Sequence, residues 1–236
     1  MKLIVLFLLV FCIYDLHAQP GDSLRSQLAA FEAIKYYHSS MGINAAIYTG
    51  KEHSGYPEFY EGTAYYKEPA WQKGEIMYDG IHYPEVFLKY DMVKDEVIVR
   101  SADSITAIVL VPQRVSWFRY EEGKFIYIPK TDEFSLFGFY HELQAGKITL
   151  LARRKKIIDE IVTAAAVVHK FVEKKGYYVR KAAMVYPLKN EQAFYEAVGE
   201  KKNELKQYLK SKSLKYGKDP EAAMNAMIQY YNLLSR

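Results

Sequence analysis

The sequence predicts a mainly β chain: an antiparallel meander forming a sandwich or a partly closed barrel, with a helical appendage at the C-terminus. Three observations carry this. Across residues 73–129 aromatic and β-branched side chains alternate with polar ones, and turn residues interrupt them every few positions. Asp79-Gly80 sits between Ile76/Tyr78 and Ile81/Tyr83, the arrangement of a two-residue hairpin whose central residues need positive φ. From Asn190 onward the apolar period changes from two residues to that of a helix.

Of the 236 residues half are hydrophobic and a quarter charged, which suits a packed chain and excludes disorder. The unusual feature is 22 Tyr against 2 Trp and 12 Phe. Tyrosine fits a half-buried pleated surface, because its ring packs while its hydroxyl reaches water or a partner. Strand faces account for that abundance more economically than a ligand-stacking surface does.

Lys2, an apolar run of about a dozen residues at 3–14 and the small Ala18 form the pattern of a secretory signal peptide. Leu16 is bulky for the −3 position, and the Phe11 before Cys12 argues against lipidation. Residues 1–18 contain Lys2 and Asp15, so their removal leaves the net charge of +4 unchanged, and it takes away the single cysteine. A mature chain without disulfides must rest on a hydrophobic core. No later apolar run is long enough for a membrane-spanning helix, which needs about 20 residues.

In chain order, residues 22–37 carry a helical pattern with Asp22 or Ser23 as cap, or form a leader ended by Gly42. Short strands are expected at 43–49 and 59–66, separated by a polar turn at 51–57. Pro84 removes a ladder donor from the stretch 81–90, so an edge or a bulge is expected there. Further reversals fall at 92–95 and 121–123. Residues 136–144 and 148–151 flank a turn at Ala145-Gly146. The alanines of 157–173 favour helix and its valines strand; the expectation is a loop or short helix, then a strand at 167–172. Lys174-Lys175-Gly176 reads as a turn into 177–180. Asn190 caps a short helix, Leu205, Tyr208 and Leu209 stripe a second, and Asp219-Pro220 starts a third lined by Met224, Met227, Ile228, Tyr231 and Leu234. The expected organisation is a signal peptide at 1–18, a helix or leader at 19–42, a β domain at 43–187 and a helical segment packed on it at 188–236.

Tyr48-Thr-Gly, Tyr78-Asp-Gly-Ile-His-Tyr83, Leu88-Lys-Tyr-Asp91, Asp95-Glu-Val97 and Gly138-Phe-Tyr140, followed by the Lys-rich 200–218 and Tyr231-Asn232, form an ordered set. In these the chain resembles an uncharacterised family of secreted, β-rich proteins from Bacteroidota-type Gram-negative bacteria. The resemblance implies envelope localisation and a β-rich body, and carries no active site.

Signatures of nucleophilic, nucleotide-dependent and zinc chemistry are missing. His141-Glu142 lacks a second histidine at helical spacing, and Asp91, Asp95 and Glu96 lack the spacing and glycine of a calcium loop. Asp79 and Glu85 are better explained by turn and surface than as paired glycosidase carboxylates. No cofactor or metal is expected. The candidate binding residues are Tyr78, His82, Tyr83, Trp117, Tyr140 and His141. The basic runs at 153–156 and 200–218 read mainly as solvated charge, with weak contact of the latter to an anionic surface as the alternative; nucleic acid is not an expected partner. The expected role is a non-catalytic interaction module, exported to the periplasm, outer-membrane surface or medium, with an envelope protein as partner. Its rivals are a barrel holding a small ligand and an envelope glycan or peptide hydrolase with a site assembled from distant strands.

Overall fold

The computed structural model describes residues 22–41, 46–101, 103–120, 123–131, 136–162, 166–182 and 184–234. The signal peptide expected at 1–18 lies outside them. Two compact units are formed, residues 1–40 and 41–236. The helix expected at 22–37 is present as α1 (Asp22–Met41), and its described side chains, Leu28, Tyr36 and Tyr37 among them, are exposed.

The second unit is mainly β, with three helices following the strands. Eleven strands are found among the described residues: β1 (Lys51–Glu52), β2 (Gln72–Tyr78), β3 (Ile81–Asp91), β4 (Glu96–Arg100), β5 (Ala107–Val109), β6 (Val115–Tyr120), β7 (Gly123–Ile128), β8 (Gly138–Gln144), β9 (Ile148–Val162), β10 (Val167–Lys181) and β11 (Met184–Pro187). They form one open antiparallel sheet in the order β1-β5-β4-β3-β2-β6-β7-β8-β9-β10-β11. Sequential strands pair as a meander demands, with two exceptions: β1 pairs with β5, and β6 pairs with β2. After β5 the chain crosses through a 3-10 turn (Pro112–Arg114) to lay β6 on the other side of β2. The Arg114–Asp79 ion pair and the Asp79 amide bonding the Arg114 carbonyl fix that crossing.

Local chemistry explains the turns. Asp79 and Gly80 both have positive φ (51° and 73°), which suits a type I′ hairpin between β2 and β3. The bulge expected at Pro84 is present: Gly74 faces Val86 and Ile76 faces Tyr83, so Pro84 and Glu85 oppose a single residue. Asp95 turns β3 into β4 at φ 61°.

The sheet rolls until its two halves touch, where the Lys156 amide of β9 donates to the Met92 carbonyl at the end of β3 (3.0 Å). The inner face of the roll holds an aromatic core of Tyr78, Tyr90, Phe118, Tyr120, Phe125 and Phe139. Phe118 and Phe125 stack at 4.8 Å, and His141 stacks on the other side of Phe125 at 4.7 Å. The space a ligand would need inside the roll is thus occupied by rings. Many of the tyrosines expected at half-buried positions are fully buried here.

Helices α2 (Glu191–Val198), α3 (Lys202–Ser211) and α4 (Pro220–Leu234) cover the same face farther along, burying Phe194, Leu205, Met224, Met227 and Ile228 against Ile148, Leu150 and Val179. Asn190 caps α2 through the Ala193 amide, and Asp219 caps α4 through that of Ala222. Asn232 of α4 behaves as a strand surrogate, accepting from the Ile148 amide (3.1 Å) and donating to its carbonyl (3.0 Å).

Four sequence expectations need correction. Residues 46–48 form a 3-10 turn, and the rest of the strand expected there falls largely outside the described residues. Residues 59–66 form a strap with isolated bridges at Glu61 and Tyr65, because its aromatic side chains cap the seam of the roll instead of lining one face. The loop or helix expected from 157 is, as far as Val162, a continuation of β9, held by fifteen consecutive pairs with β10. Gly176 is no turn but sits mid-strand opposite Arg153, against the Tyr178 ring.

The buried Tyr78 hydroxyl lacks a hydrogen-bond partner among the described residues, whereas the Tyr90 hydroxyl donates to Asp95 (2.6 Å). Tyr78→Phe is therefore expected to leave stability unchanged or raise it by about 1 kcal/mol, and Tyr90→Phe to lower it by about 1–2 kcal/mol, in urea unfolding of the purified chain.

Candidate functional site

The six sequence-chosen residues divide between the two faces of the sheet. Tyr78 and Tyr83 belong to the inner core. His141 is also inward, 8% exposed, and accepts from the Arg154 Nε at its Nδ1 (3.2 Å). Tyr140 is buried on the outer side, its hydroxyl donating to the Leu136 carbonyl. His82 and Trp117 meet on the outer face at 5.6 Å, across Met77. His82 is held to Glu75 (2.7 Å), which also binds Arg119. Burial opposes ionisation of Glu75, but hydrogen bonds from Arg119 and His82 hold its carboxyl below the usual range. These positions do not form a single site.

The residues that sequence reasoning missed lie where β9 leaves β8. The two strands pair near His141/Ala152 and then separate. Arg153 fills the place of the missing ladder: its guanidinium donates to the carbonyls of Phe139 and Phe137 and forms a forked pair with Asp95 (3.1 and 2.6 Å). Asp95 in turn accepts from Tyr90. Gly138, at φ 116°, runs directly over this pair, and a Cβ there would collide with both side chains. The donors of Arg153 are spent on structure, so it is a staple and not a ligand group.

Above the staple opens a cleft of about 490 Å³, walled by Tyr127, Leu136, Phe137 and Tyr178. Lys155 stands at its edge, directly opposite Lys174 in the β9–β10 register. Both lysines are exposed, and neither forms an ion pair among the described residues. Like charges facing each other across a ladder destabilise it. The other lysine lining the cleft, Lys94, sends its amine to the Ser54 carbonyl (2.9 Å).

Two other polar clusters are structural. Asp91, completely buried, accepts from the Val93 and Lys94 amides and from the Tyr56 hydroxyl. Burial and the neighbouring Asp91 push the Tyr56 hydroxyl well above the usual phenol range. His53 approaches Asp91 at 4.0 Å and Tyr65 at 3.0 Å; burial, then Lys94, lowers its pKa. Together these anchor the strap to the end of β3. The second cluster ties β9 to α4: Arg154 reaches Glu221 (2.6 Å) and Glu173 (3.4 Å), and Tyr177 donates to Glu221. The carboxylates weighed as a calcium loop are thus separated, Asp91 held by Tyr56 and the turn, Asp95 by Arg153.

The run at 153–156 offered one usable signal. In a strand its members alternate in direction, so two arginines continuing a buried apolar segment must find partners on both faces. No protein-family model matches this chain, and no curated protein or solved structure matches it either.

Two outcomes follow from the buried groups. Asp95→Asn leaves the Arg153 charge buried without its partner and is expected to cost about 3–5 kcal/mol, read as a lower denaturant midpoint. Burial, with Arg154 adding to it, pushes the His141 pKa down from 6.5 to about 4. Between those values the unfolded chain binds a proton that the folded chain does not, so stability falls as pH drops, by about 3 kcal/mol across the window. His141→Gln is expected to flatten that part of the stability–pH profile.

Proposed function

We propose that this chain is a non-catalytic interaction module of the bacterial cell envelope, and that it binds an anionic partner group in the cleft between β8 and β9. The observation that carries the proposal is the Lys155–Lys174 pair. Two exposed ammonium groups facing each other across a ladder repel, and an anion placed between them would relieve that repulsion. Beside the pair, the rings of Tyr127 and Tyr178 offer a flat apolar wall. A ligand with a planar or ring-shaped body and a carboxylate suits both features, which is the chemistry of an acidic glycan.

The remaining ionisable groups support a binding role over a catalytic one. Asp91, Asp95, Arg153, Arg154 and Glu221 are each committed to fixed partners that hold separate elements together. The filled aromatic interior weighs against a ligand inside the roll.

The test compares uronic-acid oligosaccharides with their neutral counterparts by isothermal titration and by product analysis after long incubation. Binding of the acidic series alone, without turnover, is expected. Lys174→Ala is expected to weaken binding about tenfold or more while leaving stability unchanged or raising it by up to about 0.5 kcal/mol. Cleavage of the oligosaccharide, or equal affinity for the neutral series, would contradict the proposal.

A further inference from the structure

Beyond the cleft β9 and β10 continue as a ribbon whose His169/Phe171 face is partly covered by Tyr56 and by Tyr60 of the strap, and whose end is exposed. Ile161 lies 44% exposed on the side of Lys155, with Ile157, Val168 and Val172; Ile158, Val162 (72%) and Val167 (51%) occupy the other side. From Ile161 to Val168 the sequence has no charged residue. The carboxylates immediately behind are matched: Asp159 faces Lys170 across the ladder, and Glu160 lies 3.5 Å from His169. Next come Lys174 and Lys175, both exposed. At the level of His169 the strap presents Phe59, 74% exposed, with its ring edge towards the imidazole at 6.4 Å. Among the described residues no second layer covers Ile161, Val162 and Val167, which leaves an exposed apolar end.

We infer that this end dips into the headgroup–acyl boundary of a bilayer containing anionic lipid. Ile161, Val162, Val167 and Phe59 enter the apolar layer, Lys170, three residues behind Val167, reaches the headgroups, and Lys174 and Lys175 add positive potential farther back. The order along the ribbon supports this occupant: uncharged apolar end, then an aromatic ring and matched charges, then a basic collar. Val162 lies two strand steps beyond the level of Phe59, about 7 Å, within the roughly 5–10 Å depth that interfacial elements reach. At that depth the outward backbone groups of Ile158 and Glu160 remain among hydrated headgroups. A polypeptide strand added along β9 would pair those groups but leave both apolar faces bare. Lys174 is shared with the proposed ligand site, but the apolar residues that enter the membrane, which the test alters, lie outside the cleft.

The test places an environment-sensitive fluorophore on the full chain through Val162→Cys, with Cys12→Ser removing the native thiol. Vesicles of phosphatidylglycerol and phosphatidylethanolamine are expected to shift its emission to the blue, and acyl-brominated lipids to quench it. Vesicles of phosphatidylcholine alone are expected to leave it in water. Because the label reports from the ribbon, attachment through the apolar run at 3–14 does not imitate this result. Adding Ile161→Asp and Val167→Asp is expected to weaken the response at least about tenfold, with oligosaccharide binding and the unfolding midpoint retained. A label that stays in water with anionic vesicles overturns the inference. So does a shift that appears without vesicles and grows with chain concentration, which would mean edge pairing between copies.

Discussion

The Arg153–Asp95 pair is the constraint on which the rest of this fold depends. A sheet that rolls this far must either continue its ladder around the seam or supply another partner for the carbonyls released where two strands part. Here one guanidinium takes the carbonyls of Phe137 and Phe139 and anchors itself on a carboxylate from the β3–β4 turn. A buried ion pair is a poor source of net stability compared with apolar packing, but losing one member is costly. Its effect is therefore geometric. It specifies where β9 leaves β8, and so where the cleft opens and the ribbon begins.

Closing the seam takes a second device. The backbone bond from Lys156 to Met92 joins the two halves at one point, and the strap reinforces it from outside. Lys156 donates to the carbonyls of Thr63 and Tyr65, Glu61 bridges to β10, and Tyr60 stacks on His169 at 4.7 Å. Each contact uses a group the ladder cannot satisfy at a sheet edge. The strap thereby blunts the edge of β10, which would otherwise invite pairing.

What was legible in the sequence follows from the range of the forces involved. The Asp79-Gly80 hairpin, the Pro84 bulge and the Asn190 and Asp219-Pro220 helix starts depend on φ preferences and on bonds within three or four residues, so local sequence reveals them. The identity of β9 beyond Lys155 does not, because the alanines that follow it at 164–166 suggest a helix, and only the pairing with β10 settles 157–162 as strand. Gly176 looked like a turn for the same reason: its role is set by Arg153, far away in the chain. The candidate site suffered most. Tyr78, Tyr83 and His141 were chosen for their chemistry, and burial consumed it. The cleft residues were passed over because Tyr127, Lys155 and Tyr178 meet only after the strands separate.

The distribution of charge separates structure from function more sharply than residue type does. Arginines 153 and 154 lie inside the sheet, and every described polar contact they make holds one element to another. Planar, multiply bonded guanidinium suits that task, because it satisfies several acceptors at fixed angles. Lysines 155, 170, 174 and 175 lie outside, on flexible stems. Lys155 and Lys174 form no ion pair among the described residues, and Lys170 and Lys175 make only long pairs with Glu61 and Glu173 (3.9 Å each), so an anion can reach them without displacing a fixed geometry. Within one four-residue basic run, Arg153 braces the cleft, Arg154 ties β9 to α4, Lys156 closes the seam, and Lys155 alone is left at the cleft edge.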